Sequence, residues 1–250
     1  MIAPAPGEPP KSVRLNRFLA ECGLGARRKV EELIISGKIS VNGKVVSEPG
    51  VKIAGEDTVV LEGKRLIRKE KRYFLMNKPR GVICAVTDKR DRTVIDLLEG
   101  VMETGGLFPV GRLDKESEGL LILTNDGEVA QKLSHPSCGV IKSYELLLDK
   151  PQEEADLLSW KKGAMVEGKW VSPLSVRRIQ GKPEKHWIEV RVREGRKREL
   201  RVIAANYGFK VLRLIRKSIG NLVIGNLRPG ETREITREEL VGLTGIGGKQ

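Results

Sequence analysis

The sequence predicts an α+β protein in which a small helix–helix–hairpin module precedes a larger domain built on a mixed, mainly antiparallel sheet. Three observations predict it. Apolar residues recur twice at helical spacing before residue 36 and then give way to an Asn-Gly turn. Beyond residue 72, short strand-like apolar runs outnumber helical ones. Between the two regions, Lys64 to Arg72 is charged and follows neither period. The expected boundaries are 1–11 as a disordered N-terminus, 12–63 as the module, 64–72 as a basic linker, 73–240 as the larger domain and 241–250 as a flexible tail.

In the module, Leu15, Phe18, Leu19 and Cys22 mark the first helix, and Gly23-Leu24-Gly25 breaks it. Val30, Leu33 and Ile34 give the second helix its apolar face before Gly37 stops it. Asn42-Gly43, between Ile39–Val41 and Lys44–Val46, is the two-residue turn of a hairpin. Arg14, Arg17, Arg27, Arg28, Lys29 and Lys38 fall at exposed positions around the inter-helix turn and the start of this hairpin. Arg27-Arg28-Lys29 at a helix N-terminus opposes the helix dipole, a conflict that a phosphate backbone would relieve.

In the larger domain, Tyr73 to Met76 reads as a strand that runs into a turn at Asn77 to Gly81. Val82 to Val86 reads as a second short strand and Val94 to Leu98 as a short helix or turn. Leu120 to Leu123 is a continuous apolar run, the mark of a strand covered on both faces. Thr124 to Gly127 supplies a turn and an N-cap, and Glu128 to Leu133 is the helix that follows. Ser143 to Leu148 alternates, with Tyr144, Leu146 and Leu148 on one side. Val171 to Ile179 and the alternating Trp187 to Arg193 are further strands. Leu200, Ile203, Ala204 and Tyr207 mark a helix closed by Gly208, and Lys210 to Ile215 returns as a strand. Leu222 to Ile224 and Arg233 to Ile235 flank a Pro229-Gly230 turn.

Composition narrows the function. Hydrophobic residues make up 39% of the chain, and no apolar stretch approaches the ~18 residues of a membrane helix. Met1 to Pro10 lacks the basic-then-apolar pattern of a secretory signal, so a cytoplasmic protein is expected. Cys22, Cys84 and Cys138 are odd in number and far apart, against a disulfide framework or a Cys-x-x-Cys metal site. With His135 and His186 as the only histidines, chemistry must run on carboxylate, Tyr, Lys or Arg, and neither a metal nor a cofactor is expected. A net charge of +13 points to a polyanionic partner, foremost nucleic acid, and away from a membrane. Aromatic residues at 4% are too few for a long stacking platform to be the whole function.

The stretch GRLDKESEGLLILTNDG, Gly111 to Gly127, sets polar residues directly against a buried strand. Asp114 has two readings. With Glu116 and Glu118 it could form a solvated turn, or it could be a single carboxylate beside Arg112, braced for nucleophilic or acid/base work. Between positions 191 and 217, ten basic residues face two acidic ones, the strongest local field in the chain and a candidate for nucleic-acid contact.

Two resemblances build on these residues. RLNRFLAECGLGARRKVEELIISGKISVNGKVV resembles the S-four RNA-binding domain, over most of Val13 to Val60. GRLDKESEGLLILTNDG, then KSYELLL, then EGRKRELRVI resemble, in that order, the bacterial ribosomal RNA pseudouridine synthases of the small-subunit (Rsu) type, from Val13 to about Ile235. The resemblance implies isomerisation of a specific uridine in ribosomal RNA or a pre-ribosomal particle, with the large subunit preferred, by a monomer that uses no cofactor. It implies that Asp114 acts on the flipped uridine, that Tyr144 packs on the base and moves a proton, and that Arg201 is the basic partner of the aspartate. Arg112 is placed near the flipped nucleotide and Leu200 beneath it, while Arg196, Arg198 and Lys217 join the module's basic residues in holding RNA. Flipping costs a few kcal/mol, to be offset by pocket contacts and phosphate binding. The sequence departs from the family where Val202-Ile203 follows Arg201 in place of the common Arg-Met, which bears on the choice of uridine. The competing expectations are a non-catalytic ribosomal-RNA-binding or assembly protein and, more remotely, a glycosidase using Asp114 with Glu116 or Glu118.

Overall fold

The computed structural model of the chain describes residues 12–100, 102–134, 139–182, 186–193 and 195–242. The expectations for 1–11 and for most of the 241–250 tail, and those for His135 and Cys138, lie outside these residues. Two compact units are present, one running to Lys71 and including Thr104–Leu107, the other comprising Arg72–Glu103 and Phe108 onward.

The first unit opens with β1 (Val13–Arg14), α1 (Leu15–Glu21) and α2 (Arg27–Ile35). Leu15, Phe18, Leu19, Val30 and Ile34 pack into one core with Ile39, Ile53 and Val59. The hairpin β2 (Ile39–Val41) and β3 (Lys44–Val46) turns at Asn42 and Gly43, whose φ values of 51° and 78° give the paired left-handed residues that a tight reversal of twisted strands needs. β4 (Lys52–Ile53) pairs with β1, and β5 (Val59–Leu61) pairs with β2. Lys64 and Arg65, expected as the start of the linker, form β6 (Lys64–Arg65) on β5, because the Glu62-Gly63 turn returns the backbone into hydrogen-bonding register.

The second unit holds β7 (Tyr73–Lys78), β8 (Phe108–Val110), β9 (Glu118–Thr124), α3 (Gly127–Ser134), β10 (Lys142–Leu148), α4 (Glu154–Lys162), β11 (Ala164–Val166), β12 (Lys169–Val171), β13 (Ser175–Arg178), β14 (Trp187–Val192), α5 (Glu199–Asn206), β15 (Val211–Ile219), β16 (Leu222–Val223), β17 (Thr232–Glu234) and α6 (Arg237–Val241). The main sheet runs β13-β14-β10-β15-β9-β7-β17, with β16 beside β15 and β8 beside β9. Every pair in it is antiparallel except β15 and β9, which run parallel through Ile215↔Glu118 and Arg216↔Gly119. One core, including Trp160, Ile188, Val190 and Ile203, lies under α4 and α5, and a second, including Leu75, Leu120 and Leu240, lies with α3 and α6. Asp126 caps α3 as expected, its Oδ1 accepting from the Glu128 and Val129 N–H groups.

Several local expectations differ from the structure. Asn77 and Lys78 continue β7 instead of turning, since both pair with β9. Val82 to Val86 is not a strand, and only Ile83 bridges to Thr93. Val171 to Ile179 splits into the end of β12 and β13, around the exposed Ser172 and Leu174.

Candidate active site

The loop that carries Asp114 connects β8 to β9 and is fixed by its own backbone. The Ser117 N–H donates to the Asp114 carbonyl at 2.9 Å, and the Leu113 N–H donates to Cys84 Sγ at 3.2 Å. Lys78, wholly buried, donates from Nζ to the carbonyls of Ser117 at 2.7 Å, Pro79 at 3.0 Å and Lys115 at 3.5 Å. Burial lowers the pKa of this ammonium, while Cys84, Glu118, Asp114 and Glu116 act in the opposite direction. Gly119, at φ +106°, lets the loop meet β15, since a Cβ there would stand 2.3 Å from the Arg216 carbonyl oxygen.

The three acids of this stretch have different fates. Glu116 is held by Arg80 at 2.9 Å, which lowers its pKa, and Glu118 takes both arms of Arg213 at 3.0 and 2.8 Å. The Asp114 carboxylate, half-buried, accepts no hydrogen bond and forms no ion pair among the described residues. The loop is thus not uniformly solvated: two of its three acids are tied to arginines and the third is not.

Around Asp114 lies a cleft of about 710 Å³ whose walls include Arg112, Tyr144, Arg196, Arg198, Leu200 and Arg201. Tyr144 comes from β10, 7% exposed, at a register shift between Ser143 and Tyr144. Leu200 and Arg201 come from the first turn of α5, where burial of Leu200, Ile203 and Ala204 fixes the helix rotation. Arg201 donates from Nη1 to the Val211 carbonyl at 2.8 Å, and its Nε and Nη2 are buried without a hydrogen-bond partner among the described residues. Its pKa is lowered by burial and by Arg198, with Asp114 and Glu116 opposing. Asp114 and Arg201 thus share the cleft without an ion pair between them. Arg198, immediately before α5, sits in the left-handed region at φ 54°, a strained conformation for a non-glycine residue on the wall of a cleft.

Lys217 is not on the cleft wall, whereas Lys142 and Lys169, not singled out from sequence, and Arg193, Lys197 and Arg216, counted there only within the basic field, are. Arg216 was counted only as part of the basic field, beyond the strand expected to end at Ile215; the structure extends that strand and sets Arg216 directly across from Tyr144. Arg213, counted in the same field, is committed to Glu118. In the first unit, Arg17 pairs with Glu21, Lys38 with Glu62, and Arg27 reaches Asn16, whereas Arg14, Arg28 and Lys29 are exposed with no side-chain partner among the described residues. Arg27, Arg28 and Lys29 form the first turn of α2, with no acid among them, as expected.

Among the described residues, no helix is long and apolar enough to cross a membrane. Residues 72–206 match the RNA pseudouridylate synthase family and residues 13–59 match the S4 domain. The chain is 38% identical to an uncharacterized RNA pseudouridine synthase of Aquifex aeolicus, covering 92% of this chain and 93% of that protein. It is 36% identical to ribosomal large subunit pseudouridine synthase B of Bacillus subtilis, over 93% and 96% of the two chains. A crystal structure of a pseudouridylate synthase aligns with a TM-score of 0.65 at 28% identity, covering 92% of this chain and 99% of that one. A cleft that gathers Asp114, Tyr144 and Arg201 and a match spanning nearly the whole chain lead to one conclusion: the chain belongs to the RNA pseudouridylate synthase family and carries an N-terminal S4 domain.

Proposed function

We propose that the protein isomerises a specific uridine of ribosomal RNA, in the large subunit, to pseudouridine, acting in the cytoplasm as a monomer. The single observation that carries this is the Asp114 carboxylate, without a partner among the described residues in a basic cleft while its neighbours Glu116 and Glu118 are tied to arginines. The relative from Bacillus subtilis named for the large subunit supports the choice of RNA. The net charge of +13 supports binding to a polyanion and keeps copies of the chain apart.

In this reading Asp114 acts on the flipped nucleoside while its glycosidic bond is broken. Tyr144 offers a face to the base and a hydroxyl for proton transfer, and Leu200 packs beneath it. Arg201, with two nitrogens unpaired, is placed to answer the Asp114 charge when the cleft fills. Arg112, Arg196 and Arg198 at the cleft, Lys217 beyond it, and the basic residues of the first unit hold the RNA backbone. Chemistry inside a chain requires the base to leave the stack, and the cleft of about 710 Å³ has room for a nucleotide.

The test is tritium release from 5-tritiated uridine in large- and small-subunit ribosomal RNA, presented separately. Release from the large-subunit RNA alone, lost in Asp114→Ala, is expected. Release from the small-subunit RNA reassigns the target. Binding by both variants without release from either RNA or from assembly intermediates leaves an RNA-binding protein.

A further inference from the structure

Arg216 stands apart from the other cations of the cleft. It is 3% exposed, whereas Lys169, Arg193, Lys197 and Arg198 at the cleft wall are exposed. Its Nε donates to the Leu120 carbonyl at 2.7 Å, which fixes the plane of the guanidinium. Among the described residues, its Nη2 is buried with no acceptor and its Nη1 makes no hydrogen bond. The residue lies directly across from Tyr144 in the β10–β15 pairing and beside Gly119 in the β15–β9 pairing, so it is set between the tyrosine and the strand that follows the Asp114 loop. A buried guanidinium with idle donors is costly unless something supplies an acceptor. Exposed cations suit phosphates, which stay in water; a buried one suits the part of the substrate that goes deepest, the base.

We propose that Arg216 is a catalytic residue that holds the detached uracil, donating from its Nη groups to a ring carbonyl and stabilising the negative charge on the base. The proposal rests on the function proposed above. When the bond from N1 to C1′ breaks, its electron pair stays with the base, and the charge spreads over N1, O2 and O4. A fixed cation at one of these oxygens stabilises that charge without reorganising. The C1′ left electron-poor is met by the Asp114 carboxylate until C5 bonds to it; the C5 proton passes to solvent and N1 takes one from solvent, so that atoms and charge balance.

The geometry of uracil makes one donor sufficient. Rotation by a half turn about the N3–C6 axis exchanges N1 with C5 and, with them, O2 with O4. A carbonyl therefore stands at the same place before and after rotation, and a fixed guanidinium serves both orientations. Cytosine would bring its amino group to that place in one orientation, donor against donor. The same residue thus stabilises the intermediate and selects the base.

The experiment is a cycle between Arg216→Gln and RNAs carrying 2-thiouridine or 4-thiouridine at the target, with sulfur as the poorer acceptor. Rates are read in single turnover from the C-linked nucleoside recovered after digestion. Arg216→Gln is expected to slow conversion of uridine about 10²-fold, with RNA affinity within about threefold of wild type. Each thio substitution is expected to slow the wild type about tenfold and the variant no more than about twofold further, because the contact is already gone. Penalties that multiply in the variant overturn the contact. If Arg216→Gln does not fold, the cycle is read on Arg216→Lys, whose single ammonium replaces Nε at the Leu120 carbonyl and is expected to show the same loss of the thio penalty. Wild-type protein that converts no ribosomal uridine overturns both this inference and the function on which it rests; conversion with multiplying penalties overturns this inference alone.

Discussion

The Lys78 ammonium donates to the Ser117 carbonyl at 2.7 Å, so that a wholly buried cation is the clasp of the loop carrying Asp114. Lys78→Met keeps the length of the side chain and leaves the Ser117 and Pro79 carbonyls without this donor. A loss of about 2 kcal/mol in urea unfolding is expected. Single-turnover isomerisation should fall further than RNA affinity, because the loop is displaced while the basic surface is intact; unchanged stability would show that water replaces the ammonium.

Gly119→Ala places a Cβ 2.3 Å from the Arg216 carbonyl oxygen at a backbone φ of +106°. Both the contact and the backbone conformation oppose the substitution. A destabilisation of about 3 kcal/mol is expected, measured by thermal or urea unfolding.

Arg28 and Lys29 at the start of α2 have no side-chain partner among the described residues. Replacing both with Gln should weaken RNA binding without regard to sequence. The slope of log K against log salt should become shallower by about 0.7 to 0.9 for each charge that contacts a phosphate. Stability should hold or rise, since the helix dipole no longer opposes two cations. A filter-binding salt series read against a melting curve separates the two effects.

Tyr73 donates its hydroxyl to Asp126 Oδ2 at 2.9 Å, and its pKa is pushed up from 10.0 to about 12 by burial, by that hydrogen bond and by the Asp126 charge. The phenol stays protonated in the folded chain where the unfolded chain has lost its proton. Its contribution is therefore complete below pH 10 and is lost as pH rises from 10 toward 12. The stability difference between wild type and Tyr73→Phe should narrow across that window in urea titrations at successive pH values.

Much of this was legible in the sequence because local chemistry and tertiary structure agree there. The Asn42-Gly43 hairpin, the buried run of Leu120 to Leu123, the alternation of Trp187 to Val192 and the face of α5 each announce themselves within a few residues. Lys78 is the opposite case. A lysine beside Pro79 reads as a turn, and the shortest of the bonds that make its burial in β7 tolerable, to the Ser117 carbonyl, comes from a distant residue. α4 has little amphipathic contrast, with Leu158 exposed beside buried Leu157 and Trp160, so its period is faint. β8 is three residues long and contains Pro109, which argues against a strand; it pairs at the sheet's margin with β9. Val82 to Val86 has strand composition, but only Ile83 finds a bridge partner. Asp114 stood out because its acidic loop abuts a buried apolar run, whereas Tyr144 was singled out only by the resemblance; the structure places both on one cleft wall. The near-complete burial of Arg216 was not, since a basic residue among ten basic residues carries no mark of its depth.

The parallel seam between β9 and β15 also sets when the site can exist. Glu118 lies in it and is bound by Arg213, 95 positions away. Closing so long a loop costs entropy that no local contact repays, so the seam forms late in folding. During synthesis, the Asp114 loop emerges well before the strand that completes its surroundings, and a nascent chain that has not yet reached Ile219 lacks a wall of the cleft. Activity is thereby withheld until the chain through Ile219 has left the ribosome.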